Sequence, residues 1–168
     1  MVVSYEAAAQ KVLDERWYDS MPGAMSVDPI IIARDLGINV YKAPMAAGIS
    51  GYIIKRGAEY APDIFINEQH APVRQRFTVA HELGHYFQRK EMAPPACDKY
   101  ALKRAYLASC GTDEEEIFAN GFAASLLMPR DVMAHLVDSG FDDLSIAKRL
   151  QVSLDSVEFR IKNLGLRP

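Results

Sequence analysis

The sequence predicts an α+β fold, in which a small antiparallel sheet forms early in the chain and helices follow it. Three observations support this prediction. Short β-branched and aromatic runs, separated by Gly, Ala and Pro, lie between residues 38 and 68. Two long runs with helical spacing, 71–90 and 112–127, come next. From Pro129 onwards the pattern indicates two or three further short helices.

Length, composition and charge narrow the class of protein. The chain has 168 residues, of which 49% are apolar, so it can bury a sizeable core as one domain or as one with a small appendage. A net charge of −3 gives no reason to expect binding to nucleic acid or to anionic membranes. We find neither an apolar run of about 20 residues nor a signal-peptide pattern. A cytoplasmic protein with reduced Cys97 and Cys110 is therefore expected.

The elements before residue 70 have clear local signals. The run "SYEAAAQKVLDERWYD" is rich in helix formers with apolar residues at helical spacing. In "DPIIIARDLGI", Asp28 is a candidate N-cap, Pro29 takes the first helical position and Gly37 ends the helix. The strands are predicted at "INVYKA", "SGYIIKR" and "DIFINE", and the second or third could offer its edge to an extended substrate.

The segment "FTVAHELGHYF" carries the strongest chemical signal. His81 and His85 are four residues apart, so they lie on one face of a helix, where both can reach one zinc ion at about 2.0–2.1 Å. Glu82 is rotated by about 100° from His81, which places it beside the metal, where it can act as a general base toward water. This HExxH spacing is typical of zinc hydrolases. The alternative is a pair of buried histidines that hydrogen-bond to backbone or carboxylate partners.

The rest of this helix is strongly apolar, which predicts that it is buried. Gly84 costs about 1 kcal/mol relative to Ala inside a helix, so its presence suggests close approach of another element or of a substrate. The following stretch, Glu91–Gly111, contains a Pro-Pro pair that ends the helix. We expect the remainder of that stretch to be a loop with a helical piece.

A catalytic zinc usually takes three protein ligands and keeps one position open. The preferred third ligand is Glu116, because Ala123 and Leu127 continue its stripe toward the core, and a carboxylate on an apolar stripe needs a cation. Asn120, one turn further, can hydrogen-bond a ligand and orient it. The alternative for Glu116 is a first-turn acid that the helix dipole favours, in a helix capped by the Thr112–Glu115 pattern. Other candidate ligands are His70, His135, Cys97, Cys110 and the neighbouring acids.

The motifs "RQRFTVAHELGHYF" and "EEEIFANGFAASLLMP" resemble those of the ImmA/IrrE family of zinc metallopeptidases. The resemblance extends over roughly Ile38–Leu166 and includes "SGYII", "DIFINEQH" and "IAKRLQVSLDSVEFRIKNLGL". It implies a zincin-type active-site helix, with zinc on His81, His85 and Glu116 and with Glu82 as catalytic base, as in thermolysin-like enzymes. It also implies helix-turn-helix repressors as substrates or partners.

Two features depart from the family pattern. Phe118 stands where relatives often have a charged residue, and the stretch from Glu91 to Gly111 is longer than in many of them. Neither affects the three ligands or the base. The residue that would help to hold the oxyanion is left open among Tyr60, Tyr86, Tyr100 and His135.

Residues 129–168 have the pattern of a helix-turn-helix, with Val157 and Ile161 expected to face inward. Six basic and six acidic residues cancel there, so packing or partner docking is favoured over DNA binding. We therefore expect a metallopeptidase-like α+β domain at 1–128 and a helical segment at 129–168, packed as one unit.

The sequence thus supports three hypotheses about function. The first is a zinc endopeptidase that cleaves a helix-turn-helix repressor, on a stress or mobile-element signal. The second is a zinc-binding regulator or toxin–antitoxin partner that binds a repressor without proteolysis. The third and weakest is a DNA-binding regulator.

Overall fold

The computed structural model describes residues 4–92, 100–105 and 114–167, and within these ranges it confirms the α+β class. Helices dominate, and the described strands form one sheet, with three strands between Asn39 and Asn67 and a fourth at Tyr100–Ala105. In chain order the elements are α1 Tyr5–Arg16, α2 Pro29–Asp35, β1 Asn39–Ala43, β2 Ile49–Lys55, β3 Asp63–Asn67, α3 Pro72–Met92, β4 Tyr100–Ala105, α4 Glu114–Leu127, α5 Arg130–Asp138, α6 Asp143–Leu150 and α7 Leu154–Leu164.

Helix α2 begins and ends where its sequence signals predict. The Asp28 side chain accepts a hydrogen bond from the Ile30 amide at 2.9 Å, and Pro29 takes the first helical position. Gly37 follows with φ +73°, a left-handed conformation that glycine adopts without steric cost. Because these signals involve only neighbouring residues, the two ends of α2 could be predicted from the sequence. The Thr112 capping pattern lies outside the described residues.

The sheet is mixed, so the prediction of a purely antiparallel sheet was wrong for one pair of strands. The strand order is β1-β3-β2-β4; β2 runs antiparallel to β3 and β4, but β1 runs parallel to β3. The β1–β2 connection therefore passes over the end of β3, where Asn67 lies. The Asn67 amide donates to the Ile49 carbonyl at 2.9 Å and lies 3.4 Å from the Met45 and Ala46 carbonyls, which holds the connection in place.

The fourth strand, β4, lies in the stretch predicted as a loop with a helical piece, so that prediction was wrong. It pairs with β2, with Leu102 opposite Ile53. Among the described strands, this order also makes β1 and β4 the edges and places β2 and β3 inside the sheet. The expectation that β2 or β3 offers a free edge is therefore wrong as well.

Helix α3 packs against the inner face of the sheet, where Ile53, Ile64 and Ile66 are almost fully buried. The contact is close at Gly51, where an added Cβ would lie 2.6 Å from both the Phe65 carbonyl and the Thr78 methyl. A side chain at that position would push the helix off the sheet. The absence of one keeps α3 at a fixed depth over β2.

The C-terminal helices contact the rest of the chain through both apolar and charged groups. Val157 and Ile161 are buried in the common core, as predicted. Arg160 donates through Nε to the Met128 carbonyl at 3.1 Å and through Nη2 to Glu6 at 3.3 Å. The division of the chain after residue 128 stays a prediction. Within the described ranges, the helices are all too short or too polar to cross a bilayer.

Candidate metal centre

Helices α3 and α4 approach each other with no side chain between them at Gly84. An added Cβ there would lie 2.8 Å from the Ala119 Cα, 3.0 Å from the Ala119 carbonyl oxygen and 3.2 Å from the Phe122 Cβ. Backbone therefore packs on glycine, and this confirms the expectation that Gly84 admits another element. The close approach sets the α4 side chains directly opposite the HELGH face of α3.

Three ligand atoms converge at this crossing. The Nε2 atoms of His81 and His85 are 3.0 Å apart, and they lie 3.5 and 3.2 Å from the two carboxylate oxygens of Glu116. Atoms that bind one zinc tetrahedrally at about 2.0–2.1 Å are about 3.3–3.4 Å from each other. His81 and His85 are only 0% and 4% exposed, so the donor atoms face the interior. The structure thus brings together the three ligands that the sequence predicts, with spacings that suit one small cation.

Asn120 fixes the orientation of the first imidazole. Its Oδ1 lies 3.0 Å from His81 Nδ1, so Nδ1–H donates to the amide oxygen. That proton position leaves Nε2 with its lone pair toward Glu116 and His85. Metal-bound histidines commonly donate their second ring nitrogen in this way, and the contact raises the basicity of the ligand.

Glu82 lies next to the cluster without being a member of it. Its side chain is 1% exposed, and its position one residue after His81 turns it about 100° away from the ligand face. A carboxylate so deeply buried is rare unless it is paired or serves a reaction. The location suits a group that takes a proton from a reactant at the cation.

The three acids at the start of α4 behave differently from one another. Glu114 and Glu115 are exposed, and Glu115 lies 3.9 Å from Arg89, as first-turn surface acids do. The Glu116 side chain is only 17% exposed and points at the two histidines. The helix-dipole explanation therefore fits the first two acids, whereas the contacts of Glu116 explain the third.

The other candidate ligands that the structure describes do not join the cluster. Among the described residues, the metal-ligating group consists of His81, His85 and Glu116 alone. His135 is exposed on α5, and His70 lies in the loop before α3. Two further candidates, Cys97 and Cys110, lie outside the described residues. For the oxyanion, Tyr60 is 48% exposed and Tyr86 is partly buried on α3, and nothing in their contacts chooses between them.

Two supporting polar residues escaped the sequence analysis. Gln75 is 9% exposed and donates through Nε2 to the carbonyls of Glu68 and His70 at 3.0 and 2.8 Å. Arg76 donates to the Val27 carbonyl and the Ser26 hydroxyl, and burial lowers its pKa while Asp28 opposes that shift. Both fix the start of α3, and because they stand together in the polar run "RQR", their burial had no signal in the sequence.

Comparison with known proteins shows the family to which the chain belongs. The sequence model of the IrrE N-terminal-like domain, a peptidase family, matches residues 33–162, which is most of the chain. The chain belongs to the ImmA/IrrE family. The radiation response metalloprotease IrrE of Deinococcus radiodurans is 30% identical over 132 residues, which cover 70% of this chain. The chain spans only 38% of the length of that relative.

Proposed function

We propose that this chain is a cytoplasmic zinc endopeptidase in which His81, His85 and Glu116 hold the metal and Glu82 is the general base. The observation that carries the proposal is the convergence of three ligand atoms from two helices within 4.8 Å of one another. A second, independent support is the family itself, whose model describes a peptidase. The substrate and the metal identity are parts of the proposal.

The donor set suits zinc. Two imidazoles and one carboxylate are the ligands of known catalytic zinc sites in which a fourth position stays open for water or substrate. A structural zinc site would instead be closed by four protein ligands, and the described residues contribute three. The proposal keeps the fourth position open for water or substrate, as a catalytic site requires.

When bound, zinc would act as a Lewis acid that activates a water molecule and polarises the peptide carbonyl. Glu82 would accept the proton of the attacking water and pass it to the departing amine. Asn120 would hold His81 in the tautomer whose Nε2 presents its lone pair to the metal. His81, Glu82 and His85 are almost fully buried, so bulk water is excluded around them. This exclusion strengthens each of these interactions.

The substrate class we propose is a helix-turn-helix transcriptional repressor. Its support is the family membership, because the resemblance of the motifs to that family implies such repressors as substrates or partners. The relative from Deinococcus radiodurans is named a radiation response metalloprotease, in keeping with a stress signal upstream of cleavage. Cleavage of a repressor would then end the repression of its target genes irreversibly.

The decisive experiment mixes the zinc-loaded chain with helix-turn-helix repressors from the same organism. We expect a discrete fragment with the wild-type chain, and a loss of about 10²–10⁴-fold in cleavage rate with Glu82→Gln, since general base catalysis is worth that much. Glu82→Gln should still bind zinc stoichiometrically, as judged by metal analysis. Undiminished cleavage by this variant would refute the base assignment.

One observation favours the alternative of a zinc-binding regulator that captures a repressor without cutting it. Glu82 and both histidines are at most 4% exposed, so a peptide must gain access before any reaction can occur. The same mixture separates the two functions. A stable complex without fragments, formed equally well by the wild type and by Glu82→Gln, would support the regulator and exclude the peptidase.

A further inference from the structure

An apolar groove of about 560 Å³ lies between α4 and α7, on the side of α4 next to Asn120. Its rim carries two large apolar side chains that are strongly exposed, Ile117 at 50% and Phe159 at 65%. Exposed apolar groups beside such a groove are typical of interaction sites. The residues that matter for its shape are Tyr5, Phe77, Ile117, Ala124 and Phe159.

The exposed side of α7 argues against nucleic acid as the occupant. In a helix-turn-helix, α7 would be the helix that enters the DNA groove. Its exposed residues include Asp155, Glu158, Phe159 and Lys162, so acids outnumber bases there. Phosphates would be repelled from this side, whereas a protein surface with apolar and mixed charged groups would fit it.

The order of charges along α7 points to a particular protein partner. Asp155 and Lys162 are seven residues apart, which is two turns, so they share one face with Phe159 between them. If two copies of α7 lie antiparallel, Asp155 of each copy faces Lys162 of the other, and Phe159 of each copy faces the other copy near the middle of the contact. A surface with this pattern is complementary to itself.

We propose that the α4–α7 groove receives α7 of a second copy of this chain, in a two-fold symmetric dimer. Phe159 of each copy would enter the groove of the other and pack against Ile117 and Ala124, while Asp155 and Lys162 pair across the interface. Asn120 lines the same groove, so the interface would lie directly behind the amide that orients His81. The proposal does not depend on peptidase activity.

The first test is the mass of the full chain in solution, measured by sedimentation equilibrium. We expect a reversible dimer for the wild type and a dissociation constant raised about 30-fold or more by Phe159→Glu, because a central aromatic anchor is a hot spot. Leu144→Glu is the matched control, since Leu144 is also exposed, at 53%, but lies on α6 away from the groove. This control should dimerise like the wild type.

Charge reversal gives a test that misfolding cannot imitate. Asp155→Lys and Lys162→Asp should each weaken the dimer, because each places like charges opposite one another. The double variant restores opposite charges and should restore association. Asp138→Lys, an exposed acid on α5, is the control for the change in net charge and should have no effect.

Three outcomes would overturn the proposal. The first is a wild-type chain that remains monomeric at about 0.1 mM, since a specific dimer should form by that concentration. The second is a dimer that Phe159→Glu leaves intact. The third is additive weakening by the two charge reversals, without rescue in the double variant. Each of these outcomes would exclude a second copy of this chain as the occupant of the groove.

Discussion

Two helix contacts in this chain bury ionisable groups, and the chemical roles of the buried groups differ between the two contacts. At the contact of α7 with α1, the Arg160 guanidinium is surrounded by acceptors, the Glu6 carboxylate at 3.3 Å and the Met128 carbonyl at 3.1 Å. Burial lowers the pKa of Arg160, and Glu6 opposes that shift. At the crossing of α3 and α4, two imidazoles and a carboxylate gather within 4.8 Å.

The difference lies in the chemical roles of the atoms. The α7 contact contains a cation with its acceptors, so its charges are balanced within the protein. The α3–α4 cluster consists of atoms that can all donate an electron pair to one cation. A buried polar cluster therefore indicates a ligand site when its members share one role, and a structural tie when their roles are complementary.

The largest expected effect is the gain in stability that zinc gives through the α3–α4 cluster. Zinc at about 100 times its dissociation constant should raise the free energy of unfolding of the wild type by about 2.7 kcal/mol. His85→Ala removes one ligand and should abolish this gain, whereas Arg160→Met should keep it. Thermal unfolding with and without the metal measures the effect. An equal gain in His85→Ala would show that zinc binds elsewhere.

Gly84→Ala sharpens the comparison, because it affects only the α3–α4 crossing. The added methyl group would meet the Ala119 backbone, which cannot rotate away, so we expect a loss of about 1–3 kcal/mol in stability and weaker zinc binding. Chemical denaturation and zinc titration measure the two effects. Gly57→Ala is the control, since its Cβ would face only the flexible Glu59 carboxylate. Full stability in Gly84→Ala would refute the close crossing.

Asn120→Ala should lower the zinc affinity by about 10–100-fold, because His81 loses the acceptor that fixes its tautomer. Asn120→Asp retains an acceptor and should recover most of that affinity. Competition with a chelator of known affinity gives both values. If Asn120→Ala binds zinc as tightly as the wild type, the amide has no positioning role.

The smallest effect is expected at the α7 contact. Arg160→Met keeps the apolar stem and should cost about 1 kcal/mol, because Glu6 is partly exposed and can regain water. Arg130→Met is a control for the exposed ion pair with Glu6, at 3.6 Å, and should change stability by less than about 0.5 kcal/mol. A loss several times larger in Arg160→Met would mean that this contact, too, depends on a buried charge.

The geometry of the candidate site could be anticipated because its signals are local. His81 and His85 share one helix, and their spacing alone sets them on one face. Glu116 and Asn120 repeat that spacing on a second helix. The packing of the two helices against each other was then the only non-local contact that the prediction needed. Gly84 indicated that approach, since glycine inside a buried helix needs a packing reason.

The sheet could be predicted only in part, because strand order depends on contacts between distant residues. No local signal places β1 beside β3, and the Asn67 amide that holds the crossing connection reads as an ordinary turn residue. Strand β4 has the sequence "YALKRA", whose adjacent basic residues obscure an alternating pattern. Edge strands commonly carry such charges, which makes them the hardest strands to recognise.

The glycine contact between α3 and α4 also limits how the candidate metal centre can change. Because the two backbones interlock there, α4 cannot slide by a fraction of a turn; the next helical register would carry Glu116 about 5.4 Å along its axis. That distance exceeds the reach of a carboxylate toward an ion held by the two imidazoles. A movement of α4 along its axis should therefore either keep Glu116 among the ligands or remove it altogether.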